Sequence, residues 1–209
     1  MTTNDTLRND LGLVSIGADG VVELRLEMAG RANKINETFI RALVAAVDWI
    51  EAREGVTGVL MTSAHRDFCV GADLDFIFKE RDAAAMLEGV TLLNGTLRRL
   101  ETLGVPVVAV LTGTALGGGY ELALAAHHRV VVNDPRIVVG LPEVQLGVIP
   151  GGGGTQRLPR MVGLQAALEM IGLGQQVRAP KALGKGLVDA LAIDAEDAMA
   201  QARAWIAAH

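Results

Sequence analysis

The sequence predicts an α/β fold built in layers as a single domain, and three observations carry that prediction. Short apolar runs with a two-residue period alternate along the chain with longer stripes of helical period. A buried strand at residues 105–111 runs through a glycine-rich turn directly into a helix. The third is size and composition: 209 residues can bury a sizeable core. Half are hydrophobic but only 3% aromatic, so Ala, Val, Leu and Ile must build that core, and 25 glycines suit tight turns between its layers.

Residues 13–16 read as a first strand, and Asp19-Gly20 as a hairpin turn. In the next strand Val22, Leu24, Leu26 and Met28 alternate with Glu23, Arg25 and Glu27, which gives one wet face. Asn36 caps a helix whose Phe39, Leu43, Val47 and Ile50 share one stripe, and Gly55 is its expected stop. Val59-Leu60-Met61 is a short buried strand. The loop at 63–73 then leads to a helical region with Val90, Leu93, Leu97 and Leu100 on its apolar face. After the strand at 105–111 and the turn at 113–119, a helix opens with Tyr120-Glu121-Leu122. Short β-branched runs at 130–132 and 137–139 flank Asn133-Asp134-Pro135, and four glycines at 151–154 precede small helices. Repeated β-then-α order implies largely right-handed crossovers.

Composition excludes several functions. A net charge of -5 argues against a nucleic-acid surface, which requires clustered cations. A single cysteine, Cys69, allows neither an internal disulfide nor a cysteine-rich zinc site and fits a reducing compartment. Residues 1–12 carry Asp5, Arg8 and Asp10 with no apolar core, so no leader is expected, and no apolar run approaches the ~20 residues of a membrane span. Cytoplasm is the expected compartment. Ser15 and Ser63 sit on no G-x-S-x-G elbow, the glycine-rich turns lack the Lys-Ser/Thr ending of a P-loop, and their spacing is not that of a dinucleotide fingerprint. His127 and His128 are adjacent rather than spaced as metal ligands and read as packing or surface residues, so no metal is expected.

Three segments remain: Asp67-Phe-Cys-Val-Gly-Ala-Asp-Leu74, Gly113-Thr-Ala-Leu-Gly-Gly-Gly-Tyr-Glu-Leu-Ala-Leu124 and Gly140-Leu-Pro-Glu-Val-Gln-Leu-Gly-Val-Ile-Pro-Gly-Gly-Gly-Gly-Thr-Gln-Arg157. In this order they resemble the crotonase, or enoyl-CoA hydratase/isomerase, superfamily over residues 14–188. The resemblance implies a crotonase-like spiral of ββα units, with a core domain at 1–190 and a C-terminal helix at 191–209 that is short for the family. Asn33-Lys34-Ile35-Asn36, residues 135–142 and the ending Ala202-Arg-Ala-Trp-Ile206 look most like the N-terminal hydratase part of multifunctional fatty-acid oxidation α-subunits, without the dehydrogenase part.

The resemblance also implies a site. Adding water to an α,β-unsaturated thioester drives negative charge onto the thioester oxygen, which preorganised donors stabilise. The family's pattern puts those donors on the backbone N–H groups of Ala72 and Gly118, and the acid–base pair on Glu121 and Glu143. Read from the residues alone, the glycines also suit tight strand-to-helix packing, Glu121 a helix-dipole role, and Glu143 a solvated loop. Arg31, Ala32 and Lys34 fall where relatives pass CoA, though Arg31 and Lys34 also suit solvated strand-end charges. Asp73 and Leu74 would flank the pantetheine, and Leu74, Phe76 and Ile77 the acyl tunnel, with core packing as their other reading. Both acids together point to a hydratase of fatty-acid β-oxidation. The alternatives are a Δ3-Δ2-enoyl-CoA isomerase and a weakly catalytic acyl-CoA-binding or assembly module. CoA enters as part of the substrate, no separate cofactor is expected, and a homo-oligomer based on trimers is.

Overall fold

The computed structural model describes residues 5–79 and 82–209, apart from the side chains of Phe76 and Lys79. The chain opens as an antiparallel meander of β1 (Thr6–Asn9), β2 (Gly12–Ile16) and β3 (Val21–Leu26). The Asp19-Gly20 turn forms as expected, with Asp19 Oδ1 accepting from Val21 N at 3.2 Å and Gly20 at φ 78°. β1 was not foreseen, because its residues are exposed or half-buried and carry no apolar alternation. Asn36 caps α1 (Glu37–Glu51) by accepting from Phe39 N at 2.9 Å, and Phe39, Leu43, Val47 and Ile50 are buried. Gly55 is not the helix stop. The helix ends at Glu51 with Ala52 as its cap, and Gly55, at φ 74°, serves the turn into β4 (Gly58–Ser63).

Two helices follow, α2 (Leu74–Lys79) and α3 (Ala83–Glu101), the latter capped by Asp82 and burying Leu93, Leu97 and Leu100. β5 (Val107–Leu111) is buried throughout. The glycine-rich segment is more than a turn. It holds a two-residue strand, β6 (Ala115–Leu116), and α4 (Gly118–Leu124) starts two residues before Tyr120. β7 (His128–Val132) and β8 (Val138–Gly140) then enter different sheets. Beyond a 3-10 turn at Glu143–Leu146 come α5 (Gly154–Val162), α6 (Leu164–Leu173), β9 (Gln176–Arg178), α7 (Ala179–Ala182), β10 (Ala190–Ala192) and α8 (Ala195–Ala208).

The main sheet has seven strands in the order β1-β2-β3-β4-β5-β7-β10, parallel from β3 onward. Its central strands are apolar on both faces, as parallel strands covered on two sides must be. Val59, Met61, Val107, Ala109 and Leu111 face a large core shared with α1 and α3. Leu60, Val108, Val110 and Val130 face a smaller one closed by Ala198, Ala202 and Ile206 of α8. Ile206 lies so close over Gly58 that a Cβ there would come within 2.4 Å of its Cγ2. A second sheet, β6-β8-β9, sits on the large-core side and is extended by bridges between Cys69 and Ala115 and between Ile35 and Ala72. This second layer carries the site.

Candidate active site

Backbone proximity brings the distant motifs together. Gly71 takes φ 93°, and a Cβ on it would lie 2.8 Å from Leu116 O and 3.5 Å from Gly118 N. A Cβ on Gly119 would lie 2.1 Å from Cys69 O. Only glycines permit this approach, and it sets Ala72 and Gly118 on one wall of a cavity of about 620 Å³. The Ile35–Ala72 bridge uses Gly71 O and Asp73 N, each at 2.8 Å, so the Ala72 N–H points away from Ile35. Gly118 opens α4, where an N–H has no partner within the helix.

Two carboxylates face the same cavity from different elements. Glu121, in the first turn of α4, is 3% exposed. Its Oε1 accepts from Gly154 N at 2.7 Å. Burial raises its pKa, opposed by the N–H groups of Gly154 and Gly152 and by the Arg157 charge. Glu143 opens the 3-10 turn after Pro142, and both its carboxylate oxygens are buried without a well-formed hydrogen bond among the described residues. Burial pushes this carboxyl up to about 7; its own backbone N–H opposes the shift and the Glu121 charge adds to it. Glu143 is therefore not a solvated loop carboxylate. Its burial without a partner costs stability, the pattern expected of a group retained for chemistry.

The remaining expected residues divide. Lys34, Asp73, Leu74 and Ile77 line the cavity, with Lys34 Nζ 3.9 Å from Asp73 Oδ1 at a half-exposed position. Arg31 is exposed and Ala32 partly so; neither lines the cavity wall. The Phe76 side chain lies outside the described residues. Sequence reasoning did not single out Ile40, Met86, Gly89 and Val148, which also line the cavity. Nor did it foresee how closely the 151–154 loop holds Glu121: a Cβ on Gly152 would lie 2.8 Å from Oε2, and one on Gly154 3.0 Å from Oε1. The four-glycine run was the available signal.

The residues set aside behave as packing. His127 Nδ1 accepts from Val107 N at 2.9 Å, and His128 stacks on Trp205 with ring centroids 4.7 Å apart. Cys69 is buried, which pushes its thiol up to about 12. Among the described residues no helix is long and apolar enough to cross a membrane.

The enoyl-CoA hydratase/isomerase family model matches residues 17–208. The chain is 42% identical over 177 residues to the fatty acid oxidation complex subunit alpha of Shewanella loihica, an overlap of 82% of this chain and 24% of that protein. It thus spans about a quarter of the length of that relative. Among solved structures, the enoyl-CoA hydratase of Geobacillus kaustophilus superposes with a TM-score of 0.89 at 29% identity, covering 97% of this chain and 75% of that one. The Bacillus anthracis enoyl-CoA hydratase gives 0.85 at 30%, covering 98% and 76%. Fold, motif order and family match agree: the chain has the crotonase fold and belongs to the enoyl-CoA hydratase/isomerase family.

Proposed function

We propose that the protein is an enoyl-CoA hydratase that adds water syn across the double bond of a trans-2-enoyl-CoA thioester to give a 3-hydroxyacyl-CoA, in fatty-acid β-oxidation. The observation that carries this reading is the convergence of two buried carboxylates, Glu121 and Glu143, on a cavity whose wall also includes Ala72 and Gly118. The thioester oxygen sits between the Ala72 and Gly118 N–H groups, where each donor is worth about 3 kcal/mol as negative charge develops. Glu121, oriented by Gly154 N–H, holds the water and takes its proton as the oxygen bonds to C3. Glu143, protonated near neutrality, gives its proton to C2. The pair therefore starts and ends each turnover holding one proton, shared between two sites whose apparent pKa values belong to the pair.

Lys34 is the cavity-mouth cation suited to the CoA phosphates, with Arg31 and Ala32 beside its path, and Asp73 and Leu74 flank the pantetheine. Leu74, Phe76 and Ile77 belong to the acyl side. Metal and separate cofactor have no part in this scheme. A homo-oligomer based on trimers suits the exposed Leu164, Leu168 and Leu173 of α6, at 66%, 62% and 67% exposure.

Isomerase chemistry needs only one carboxylate to shuttle a proton between C2 and C4, and the unpartnered Glu143 fits that role. Comparing the purified chain on crotonyl-CoA and on a 3-enoyl-CoA of matched length separates the two. The hydratase reading expects faster turnover of crotonyl-CoA. Conversion of the 3-enoyl thioester with no hydration would replace it by the isomerase. CoA-ester binding without either reaction would leave only a binding module.

A further inference from the structure

We propose that Arg157, held by Glu101, is a positioning residue for Glu121, acting through the glycine loop between them; the inference rests on the hydratase reading of the site. Arg157 lies in the first turn of α5, where a cation meets the positive end of the helix dipole and has no intrinsic reason to sit. Its side chain is only 12% exposed, and it makes a two-pronged ion pair with Glu101, itself 21% exposed, at 2.6 Å from Nε and 3.2 Å from Nη2. The remaining prong, Nη1, donates to Gly152 O at 2.7 Å. Asn94 Nδ2 on α3 donates to Gly151 O, also at 2.7 Å.

Two successive loop carbonyls are thus drawn outward, toward α3 and α5. Gly151 O shares its peptide with the Gly152 N–H, and Gly153 O, which accepts from Arg157 N at 2.9 Å, shares one with the Gly154 N–H. The guanidinium on Gly152 O fixes the peptide that joins the two, so both N–H groups are left to face Glu121, Gly154 N at 2.7 Å. If either of the peptides carrying these N–H groups flipped, Gly151 O or Gly153 O would face the carboxylate and repel the ionised form. The loop cannot relax by growing side chains: at Gly153, φ is 96° and a Cβ would lie 2.2 Å from Arg157 Nη1. Arg157 also contributes its charge to keeping the buried Glu121 ionised, which a general base requires. Glu101 fixes the guanidinium from a position 56 residues away in sequence.

The test reads Glu121 directly. Carboxyl carbons of glutamate are followed by NMR across pH, with the Glu121 resonance assigned by its loss in E121Q, in wild type, R157M, R157K and E101Q. The expected result is a Glu121 midpoint raised by about one pH unit in R157M, tenfold in the ionisation constant. R157K, which keeps the charge but not the fork, and E101Q should shift it less in the same direction. In hydration assays the acidic limb of kcat/KM should move up in parallel, with kcat at pH 7 falling and KM changing less than about twofold.

A folded R157M with an unmoved Glu121 midpoint overturns the proposal. Should R157M fail to fold, unmoved midpoints in both R157K and E101Q do the same. The two readings fail separately: wild type without hydratase activity sinks the function while the NMR midpoint still decides the positioning role. Activity lost in E121Q, with an unmoved midpoint in R157M, sinks the positioning role alone.

Discussion

Glu143 shows at the scale of a single residue what separates a functional carboxylate from a structural one. Glu101 and Glu51 are paired to arginines, which holds their carboxyls below the usual range, whereas Glu143 has no such partner and sits near 7. A folded-state pKa above the ordinary 4.5 means the native protein binds more protons than the unfolded chain between those values, so stability falls as pH rises from about 4.5 to about 7. Glutamine removes the ionisation at nearly constant shape. The melting temperature of E143Q should therefore match wild type below pH 4.5 and exceed it increasingly up to pH 7, then by a constant margin. Thermal melts across that range check this, and a constant difference would mean that Glu143 is not held high. The carboxylates were legible in the sequence as motif positions. Their environment was not, since the Gly154 N–H that orients Glu121 comes from 33 residues away.

At the scale of elements, local chemistry was readable wherever one residue type had one job. Asn36 is such a case: a short polar side chain ahead of an apolar stripe, observed to cap α1 through Phe39 N. Replacing Asn36 by alanine should cost about 1 kcal/mol, read as a lower urea midpoint with an unchanged slope. No change in midpoint would mean the cap contributes nothing to the fold. Elements defined by long-range partners were less legible. β6 has two residues inside a glycine run and exists because Val139 and Gly140 pair with it, and β1 exists because β2 offers it an edge. Gly55 misled for the opposite reason, since its left-handed backbone serves a turn rather than a helix end. The loop at 151–154 combines both cases: its glycines stand out in the sequence, but their purpose depends on Asn94, Glu101 and Glu121 arriving from elsewhere.

At the scale of the whole molecule, the seven-stranded sheet divides labour between its faces. One face carries the large core, the second sheet and the cavity; the other carries α8. Stability and chemistry should therefore be separable by mutation. Ile206→Ala removes packing over Gly58 and should cost about 3 kcal/mol, with KM and kcat unchanged in the protein that remains folded. A large kinetic effect at constant folded fraction would show that the two faces are coupled. The layered α/β character was readable because hydrophobic period survives in the sequence. The split of the runs at 130–132 and 137–139 between two sheets was not, because both show the same β-branched composition.

The central claim, that Glu121 and Glu143 jointly add water to an enoyl thioester, is tested most directly by the loss of crotonyl-CoA absorbance with wild type, E121Q and E143Q. Each single substitution is predicted to lower kcat by 10²- to 10⁴-fold, the usual range for losing a general acid or base, with little change in KM, because each carboxylate acts on the reacting atoms rather than on CoA. Undiminished hydration in either variant would contradict the account.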